Sequence, residues 1–354
     1  MVKSAGSLAL VSFALATLAL SGCSSGASDM RAQAEAQIKA NNLADAEKTL
    51  KQVLENQERS SGGNEVTIAP TLNALGNLYI KQGKYSEADD LFKRATKLQH
   101  QAMAPQLVAL AESLNGQGLS LTQQGKFQAA EQTLQQALSL REDNLTAGAL
   151  PIAESQNSLA QVYFQTGHYP QAEALYKAAQ SIYEKTSGVE SADAANVRNN
   201  LASLYFAQGK LQQAEPIFKW SVSIFERASG KDSLEVANAC NNLAELYRAQ
   251  KKYSEAEPLY GRSLAIYEKV SGKDSPAVAT ACNNLAILYR TQGRFADAEP
   301  LYKRAIAIYD SNSGVSTQQF ANVLENYAEL MQATGRPAEA QALRAKANAK
   351  IAQR

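Results

Sequence analysis

The sequence predicts an all-α fold built from repeated pairs of helices, and three observations support this prediction. A block of 42 residues recurs seven times without insertion or deletion. Two columns of the repeat contain only alanine, which indicates two places in each block where helices pack closely. Glycine is predicted to end the first helix of most blocks, and proline is predicted in the first turn of the second helix in three of them, at Pro216, Pro258 and Pro300. A fixed period of this length is typical of stacked helical units rather than of one globular core.

Each block reads as two amphipathic helices joined by a short turn. In the block that begins near Ala237, apolar residues recur at helical spacing on one face of each predicted helix. The first-helix stripe is Val236, Cys240, Leu243, Ala244 and Tyr247, and the second-helix stripe is Ala256, Leu259, Tyr260, Leu264, Tyr267 and Val270. The turn glycines are Gly83, Gly125, Gly167, Gly209, Gly293 and Gly335, with Lys251 as the exception in that column.

These residues carry a resemblance to a known family. The spacing of the tetratricopeptide repeat (TPR) signature is present in Leu75, Gly76, Tyr79, Gly83, Tyr85, Ala88, Phe92 and Ala95. The 42-residue period and the recurring Asn-Asn-Leu-Ala-x-Leu-Tyr sequence resemble the longer kinesin-light-chain type of this repeat. The resemblance implies a right-handed superhelical solenoid of about eight helix pairs over residues 31–354. It also implies that a peptide or partner protein is held in a concave groove.

The N-terminal segment is predicted to be a targeting signal that lies outside the fold. Lys3 precedes the 13-residue apolar run Leu8–Leu20, which is shorter than the ~20 residues that a membrane-spanning helix needs. The run ends in Leu-Ser-Gly before Cys23, which resembles a bacterial lipobox. The resemblance implies a lipoprotein signal peptide at 1–22, a lipidated and palmitate-bearing Cys23, and a tether at 23–30. An ordinary secretory signal is the alternative.

The lipobox resemblance also implies a location. Ser24, rather than aspartate, follows the lipidated position, which favours the outer membrane of a double-membrane bacterium. We therefore expect a lipid-anchored protein in the cell envelope that faces the periplasm.

Composition and motifs argue against catalysis and nucleic-acid binding. The 35 basic and 34 acidic residues balance, whereas a nucleic-acid-binding protein needs a basic surface. His100 and His168 have no Cys, Asp or Glu partner at metal-ligand spacing, and no phosphate-binding glycine loop or hydrolase motif is present. We expect no enzyme activity, no metal and no cofactor.

The groove of the TPR resemblance predicts the binding residues. Columns that face the groove in related repeats are rich in asparagine, whose amide can bond the backbone of an extended peptide. Two arginines in these columns can bind a carboxylate bidentately, and two phenylalanines offer apolar surface. The predicted peptide-binding residues are Asn196, Asn200, Asn238, Asn242, Asn284, Arg248, Arg290, Phe164 and Phe206. The alternative for the asparagines is that they bond between neighbouring helices and hold the stack together.

The sequence therefore predicts a non-catalytic envelope scaffold that binds a protein or peptide client in the groove. One alternative is a structural subunit of a secretion, pilus or cell-wall assembly that acts through its convex face or its ends. The other is an enzyme or glycan-binding protein with an unrecognised site.

Two further expectations concern single side chains. Cys240 and Cys282 occupy the same column of adjacent blocks, where helix axes ~8–10 Å apart place the two residues too far apart for a disulfide. We expect two buried free thiols. Trp220 lies off the apolar stripe of its helix, so we expect it to be partly exposed.

Overall fold

Consecutive pairs of helices make up the protein. The computed structural model describes residues 26–60, 65–99, 107–312 and 317–352. Sixteen α-helices account for nearly all of these residues, and no strand occurs among them. The all-α prediction of about eight helix pairs is confirmed for the described part of the chain. The chain divides into two compact units, Met1–Asn144 and Leu145–Arg354, and each is described by itself.

The first unit contains three helix pairs. Its first helix is described over residues 26–39 and so includes part of the segment predicted as a tether. The elements are α1 (26–39), α2 (Leu43–Ser60), a short 3₁₀ helix (Glu65–Ile68), α3 (Ala69–Lys81), α4 (Tyr85–Gln99), α5 (Leu107–Gln123) and α6 (Phe127–Asn144). The predicted signal peptide at 1–22 and the lipidation site Cys23 lie outside the described residues.

The second unit contains five helix pairs and all nine predicted groove residues. Its elements are α7 (Leu150–Gln165), α8 (Tyr169–Thr186), α9 (Ala192–Ala207), α10 (Leu211–Ala228), α11 (Leu234–Ala249), α12 (Tyr253–Ser271), α13 (Pro276–Thr291), α14 (Phe295–Ser311), α15 (Thr317–Ala333) and α16 (Pro337–Ala352). Each helix packs against the next one along the chain, and each odd-numbered helix also contacts the next odd-numbered helix. We call the odd-numbered members first helices and the even-numbered members second helices.

Local sequence explains where most of these helices begin and end, but the prolines predicted in the first turn of three second helices lie inside those helices, beyond the first turn, at Pro216, Pro258 and Pro300. The Ser191 hydroxyl accepts a hydrogen bond from the Ala194 amide at 3.2 Å and thereby caps α9. Gly209 takes a φ of 75° in the turn after α9, a left-handed conformation that glycine adopts without steric cost. Lys251 takes the same conformation, with φ at 60°, in the turn after α11. The turn geometry is therefore kept even where the glycine is lost.

Small residues at fixed positions allow the helices to approach closely. The alanines of both all-alanine columns are at most 3 % exposed, Ala237 and Ala256 among them. Large side chains of the second helices fill the space between neighbouring pairs, and Tyr176, Tyr260 and Tyr302 are at most 1 % exposed. The expected free thiols are confirmed, because Cys240 and Cys282 are unbonded and buried in this core. Burial raises the pKa of the Cys282 thiol to about 11.

Candidate functional site

The first helices α7 to α15 bring the predicted groove residues onto one surface, which we call the first-helix face. One column of the repeat, which we call the leucine column, holds Leu159, Leu201, Leu243, Leu285 and Tyr327 in these helices. The residues of the face lie two and one positions before this column, two and five positions after it, and five positions before it. Adjacent first helices contact each other along this face, so equivalent side chains of neighbouring pairs come within reach. The nine predicted residues are half-buried or exposed rather than buried in the core.

Asparagines form hydrogen bonds between neighbouring first helices, as the stacking alternative predicts. Each bond joins an amide nitrogen to the oxygen of an asparagine in the preceding first helix. The bonds are Asn200 Nδ2 to Asn157 Oδ1 at 3.0 Å, Asn284 Nδ2 to Asn241 Oδ1 at 2.9 Å, and Asn326 Nδ2 to Asn283 Oδ1 at 3.0 Å. We call this series the asparagine ladder. The stacking role therefore applies directly to Asn200 and Asn284 among the predicted residues.

The ladder is interrupted between α9 and α11. Asn199 is 7 % exposed, and its buried Oδ1 has no hydrogen-bond partner. Asn242, which would be its donor by analogy with the other steps, makes no side-chain hydrogen bond to a described residue. The amide of Asn242 is thus free on the surface at this step.

The exposed asparagines Asn196 and Asn238 occupy the same column but differ in their hydrogen bonding. In the α11–α12 pair the Tyr267 hydroxyl donates to Asn238 Oδ1 at 2.5 Å. In the α9–α10 pair the corresponding aromatic residue is Phe225, which has no hydroxyl group. Asn196 is exposed and forms no side-chain hydrogen bond to a described residue. Asn196 and Asn242 therefore carry side-chain amides that no described residue pairs.

The two predicted arginines are already paired within the chain. Arg248 contacts both carboxylate oxygens of Glu245, and its Nε lies 2.9 Å from Oε2. The Tyr260 hydroxyl donates to the same Oε2 at 2.6 Å. Burial raises the pKa of Glu245, but the bonds from Arg248 and Tyr260 outweigh it and leave that pKa below its usual value. Arg290 instead reaches the next first helix, where its Nη1 lies 2.5 Å from Glu329 Oε2. The positive charges of the two arginines are thus balanced by Glu245 and Glu329.

Phe164 and Phe206 contribute less free apolar surface than their position in the sequence indicates. Both are half-buried and pack against the cores of their helix pairs. The Phe164 ring centroid lies 6.2 Å from that of Tyr169. Each ring still has part of its surface exposed on the first-helix face.

A second series of contacts, absent from the sequence-based site, joins the second helices to the following pair. Glu215 accepts from Lys219 Nζ at 2.6 Å and from Gln250 Nε2 at 2.9 Å, and Lys252 Nζ lies 3.4 Å away. Equivalent glutamates with partners in the next pair are Glu47, Glu173, Glu257 and Glu299. We call these five residues the carboxylate series. An Ala-Glu pair at the same position of six helix pairs was the available sequence signal.

Trp220 is partly exposed, as expected, and lines a shallow cavity of about 430 Å³ between α8 and α10. The Arg198 guanidinium lies 4.4 Å from the indole centroid and also binds Glu184 through Nε at 2.8 Å. The guanidinium that lines this cavity is therefore already engaged within the chain.

Neither a metal cluster nor a spanning helix is found where the chain is described. No group of three or more metal-ligating residues comes together among these residues. No described helix combines the length and apolar character needed to cross a bilayer.

Comparison with protein families matches most of the chain. A family model described as Tetratricopeptide repeat matches residues 27–101, 67–143, 151–227 and 235–311. A second model with the same description matches residues 321–346. No curated protein matches the sequence.

Solved structures show the same fold at low sequence identity. BtubC (BKLC) from P. vanneervenii is 22 % identical with a TM-score of 0.51, and the match covers 66 % of this chain and 91 % of that one. The Rap conjugation gene regulator of plasmid pLS20, in complex with a Phr peptide, is 12 % identical with a TM-score of 0.66, covering 93 % and 95 %. Aspartyl phosphate phosphatase F from Bacillus subtilis is 12 % identical with a TM-score of 0.59, covering 99 % and 96 %.

Proposed function

Because the chain belongs to the tetratricopeptide repeat family, we propose that it is a non-catalytic scaffold that binds an extended peptide segment of a client protein. The binding surface is the first-helix face of the second unit. Repeat folds of this family serve protein–protein interaction, and a structural neighbour of this chain is described in complex with a peptide. The fold alone names no client and no reaction.

Free amides on the first-helix face are the observation that carries this proposal. Asn196 and Asn242 each offer a donor and an acceptor that no described residue uses. A peptide backbone needs such groups, because its own N–H and C=O groups lose water when it binds. The half-buried rings of Phe164 and Phe206 add apolar contacts beside these amides.

A comparison of two double variants tests this role. Asn196→Ala/Asn242→Ala removes amides that have no partner in the chain, so we expect normal folding and loss of client binding. Asn200→Ala/Asn284→Ala removes two steps of the asparagine ladder, so we expect a lower melting temperature. The measurement combines affinity purification of the full chain with thermal unfolding followed by circular dichroism. A client that is retained by the first double variant would contradict the proposal.

The same proposal places the scaffold on a membrane through lipid at Cys23. The lipobox resemblance of residues 20–23 supports this anchor and an envelope location facing the periplasm. Stable anchoring needs more than one acyl chain, as expected for a lipoprotein. Cell fractionation with radiolabelled palmitate should place the labelled chain in the outer-membrane fraction. Cys23→Ser should lose the label and leave the membrane; an unlabelled wild-type chain would refute the anchor.

A further inference from the structure

Two neighbouring buried donors, one on the first helix α13 and one on the second helix α14, have no acceptor. Tyr302 is fully buried, and its hydroxyl oxygen has no hydrogen-bond partner. The Nε of Arg290 is also buried without a partner. Arg290 lies close enough to Tyr302 to act on the pKa of its hydroxyl, which burial raises to about 12. An unmet donor in a buried position is costly, so two together indicate a missing acceptor.

The preceding helix pair shows what the missing acceptor is. There Glu245 accepts from both Arg248 and Tyr260, so the same pair of donors is satisfied. The residue at the position of Glu245 in α13 is Ile287, which has no polar group. The α13–α14 pair thus keeps the arginine and the tyrosine but lacks the carboxylate between them.

Glu329 from α15 replaces this missing carboxylate only in part. It lies 2.5 Å from Arg290 Nη1 and leaves Nε free, whereas Glu245 contacts two nitrogens of Arg248. The Glu329 side chain is 44 % exposed, so it can rotate away from Arg290 into the solvent with little loss of packing.

We propose that Arg290 and Tyr302 form a subsite for a carboxylate group of the client peptide, and that Glu329 occupies the arginine in the free chain. An incoming carboxylate replaces Glu329, accepts from Arg290 Nε and from the Tyr302 hydroxyl, and restores the arrangement seen at Glu245. Charge is conserved, because one carboxylate replaces another beside the same guanidinium. This inference deepens the proposed function and rests on it. It assigns carboxylate recognition to Arg290 and a structural role to Arg248.

The arginine side chains themselves report on this subsite. We would label the full chain with ¹⁵N-arginine, assign the Arg290 Nε–Hε signal with Arg290→Lys, and titrate two probes at matched ionic strength. The probes are N-acetyl-Ala-Ala, which has a free carboxylate, and its amide. We expect a saturable shift of the Arg290 signal with the acid alone, and no shift at Arg248. No saturable shift, equal shifts with both probes, or equal shifts at both arginines would overturn the proposal.

Two tyrosine variants separate recognition from structure. Tyr302→Phe removes a hydroxyl without a partner and resembles Phe218, which occupies the same column. We expect an unchanged or higher melting temperature and affinity for the acid probe lower by about tenfold. Tyr260→Phe removes a bonded hydroxyl, so we expect a lower melting temperature and unchanged affinity. A melting temperature lowered equally by both variants would show that water satisfies Tyr302, and would overturn the subsite.

Failure of the subsite is distinguishable from failure of the proposed function. If the Arg290 signal does not respond but Asn196→Ala/Asn242→Ala still loses the client, the scaffold function stands and the carboxylate subsite is refuted. If the client is retained by the asparagine variant, the binding surface itself is refuted.

Discussion

At the scale of single residues, equivalent ion pairs between neighbouring helix pairs are made by different residues. A carboxylate of one second helix pairs with a guanidinium of the next helix pair in two chemical arrangements. At Glu184 the guanidinium is that of Arg198, on a first helix, and Trp220 stands at the second-helix position. At Glu226 the guanidinium is that of Arg262, on a second helix, and Cys240 stands at the first-helix position. The ion pair is therefore kept, although its arginine lies on a first helix in one arrangement and on a second helix in the other.

The turn residue Lys251 is predicted to lower stability. Its φ of 60° lies in the left-handed region, which costs a residue with a Cβ about 1 kcal/mol. We expect Lys251→Gly to raise the free energy of unfolding by about that amount, because glycine adopts this conformation freely. The reciprocal change, Gly209→Ala, should lower it by a similar amount. Urea unfolding measures both; a destabilising Lys251→Gly would contradict this account.

Two helical glycines give opposite predictions for the same substitution. A Cβ at Gly116 would lie 2.4 Å from the Phe92 ring, whereas a Cβ at Gly261 would meet nothing within 4 Å. We expect Gly116→Ala to lower the free energy of unfolding by about 1–3 kcal/mol through overpacking. Gly261→Ala should raise it by up to about 1 kcal/mol through helix propensity. Thermal unfolding of the two variants measures both effects. Equal shifts in melting temperature would contradict the packing argument.

At the scale of elements, the helix pairs are joined by more than apolar packing. The asparagine ladder links α7 to α9, α11 to α13 and α13 to α15, and the carboxylate series links α2, α8, α10, α12 and α14 to the following pair. These polar links fix the register of one pair on the next, since each requires a specific donor and acceptor to meet. Apolar stripes alone would allow neighbouring pairs to slide against each other.

The carboxylate series is predicted to stabilise the stack. Glu215→Gln keeps the shape of the side chain but removes the charge that accepts from Lys219 and attracts Lys252. We expect the free energy of unfolding to fall by about 1 kcal/mol. Glu190→Gln serves as the control, because Glu190 and Arg227 form an ion pair in which both side chains are more than half exposed. Its effect should stay within a few tenths of a kcal/mol; equal effects would refute the special role of the series.

At the scale of the whole molecule, the same carboxylates predict a loss of stability in acid. Hydrogen bonds from Lys219 and Gln250 lower the pKa of Glu215 to about 2, and the bond from Lys303 does the same for Glu299. Their pKa in the unfolded chain is about 4.3. Because the folded pKa is the lower one, the stabilisation is present above about 4.3 and is lost as the pH falls towards 2.

Urea unfolding at pH 7 and at pH 3 measures this effect. We expect a smaller free energy of unfolding at pH 3 for the wild type. Glu215→Gln should show a smaller difference between the two pH values, because it cannot be protonated. An identical pH dependence in both proteins would contradict the assignment.

Most of the fold could be predicted from the sequence, and only part of the site could. The alanine, glycine and leucine columns indicate helix pairs because each column has one physical requirement that repeats. The hydrogen-bond and ion-pair partners of the groove residues depend instead on small sequence differences between equivalent positions. Arg248 and Arg290 look alike in their column, but Glu245 and Ile287 three residues earlier give them different partners. The interruption of the ladder at Asn199 depends on a contact geometry that no pattern contains.

The central claim is that the first-helix face of the second unit binds the client, and photo-crosslinking tests it most directly. We would place a photo-crosslinking residue at Asn242 on this face and, in a matched variant, at Ser223, which is exposed on a second helix. Both full-length chains would be irradiated in intact cells. The account predicts a discrete crosslinked partner from position 242 that is absent from position 223 and is lost in Asn196→Ala. A partner captured from position 223 alone would contradict it and would move the function to the second-helix surface.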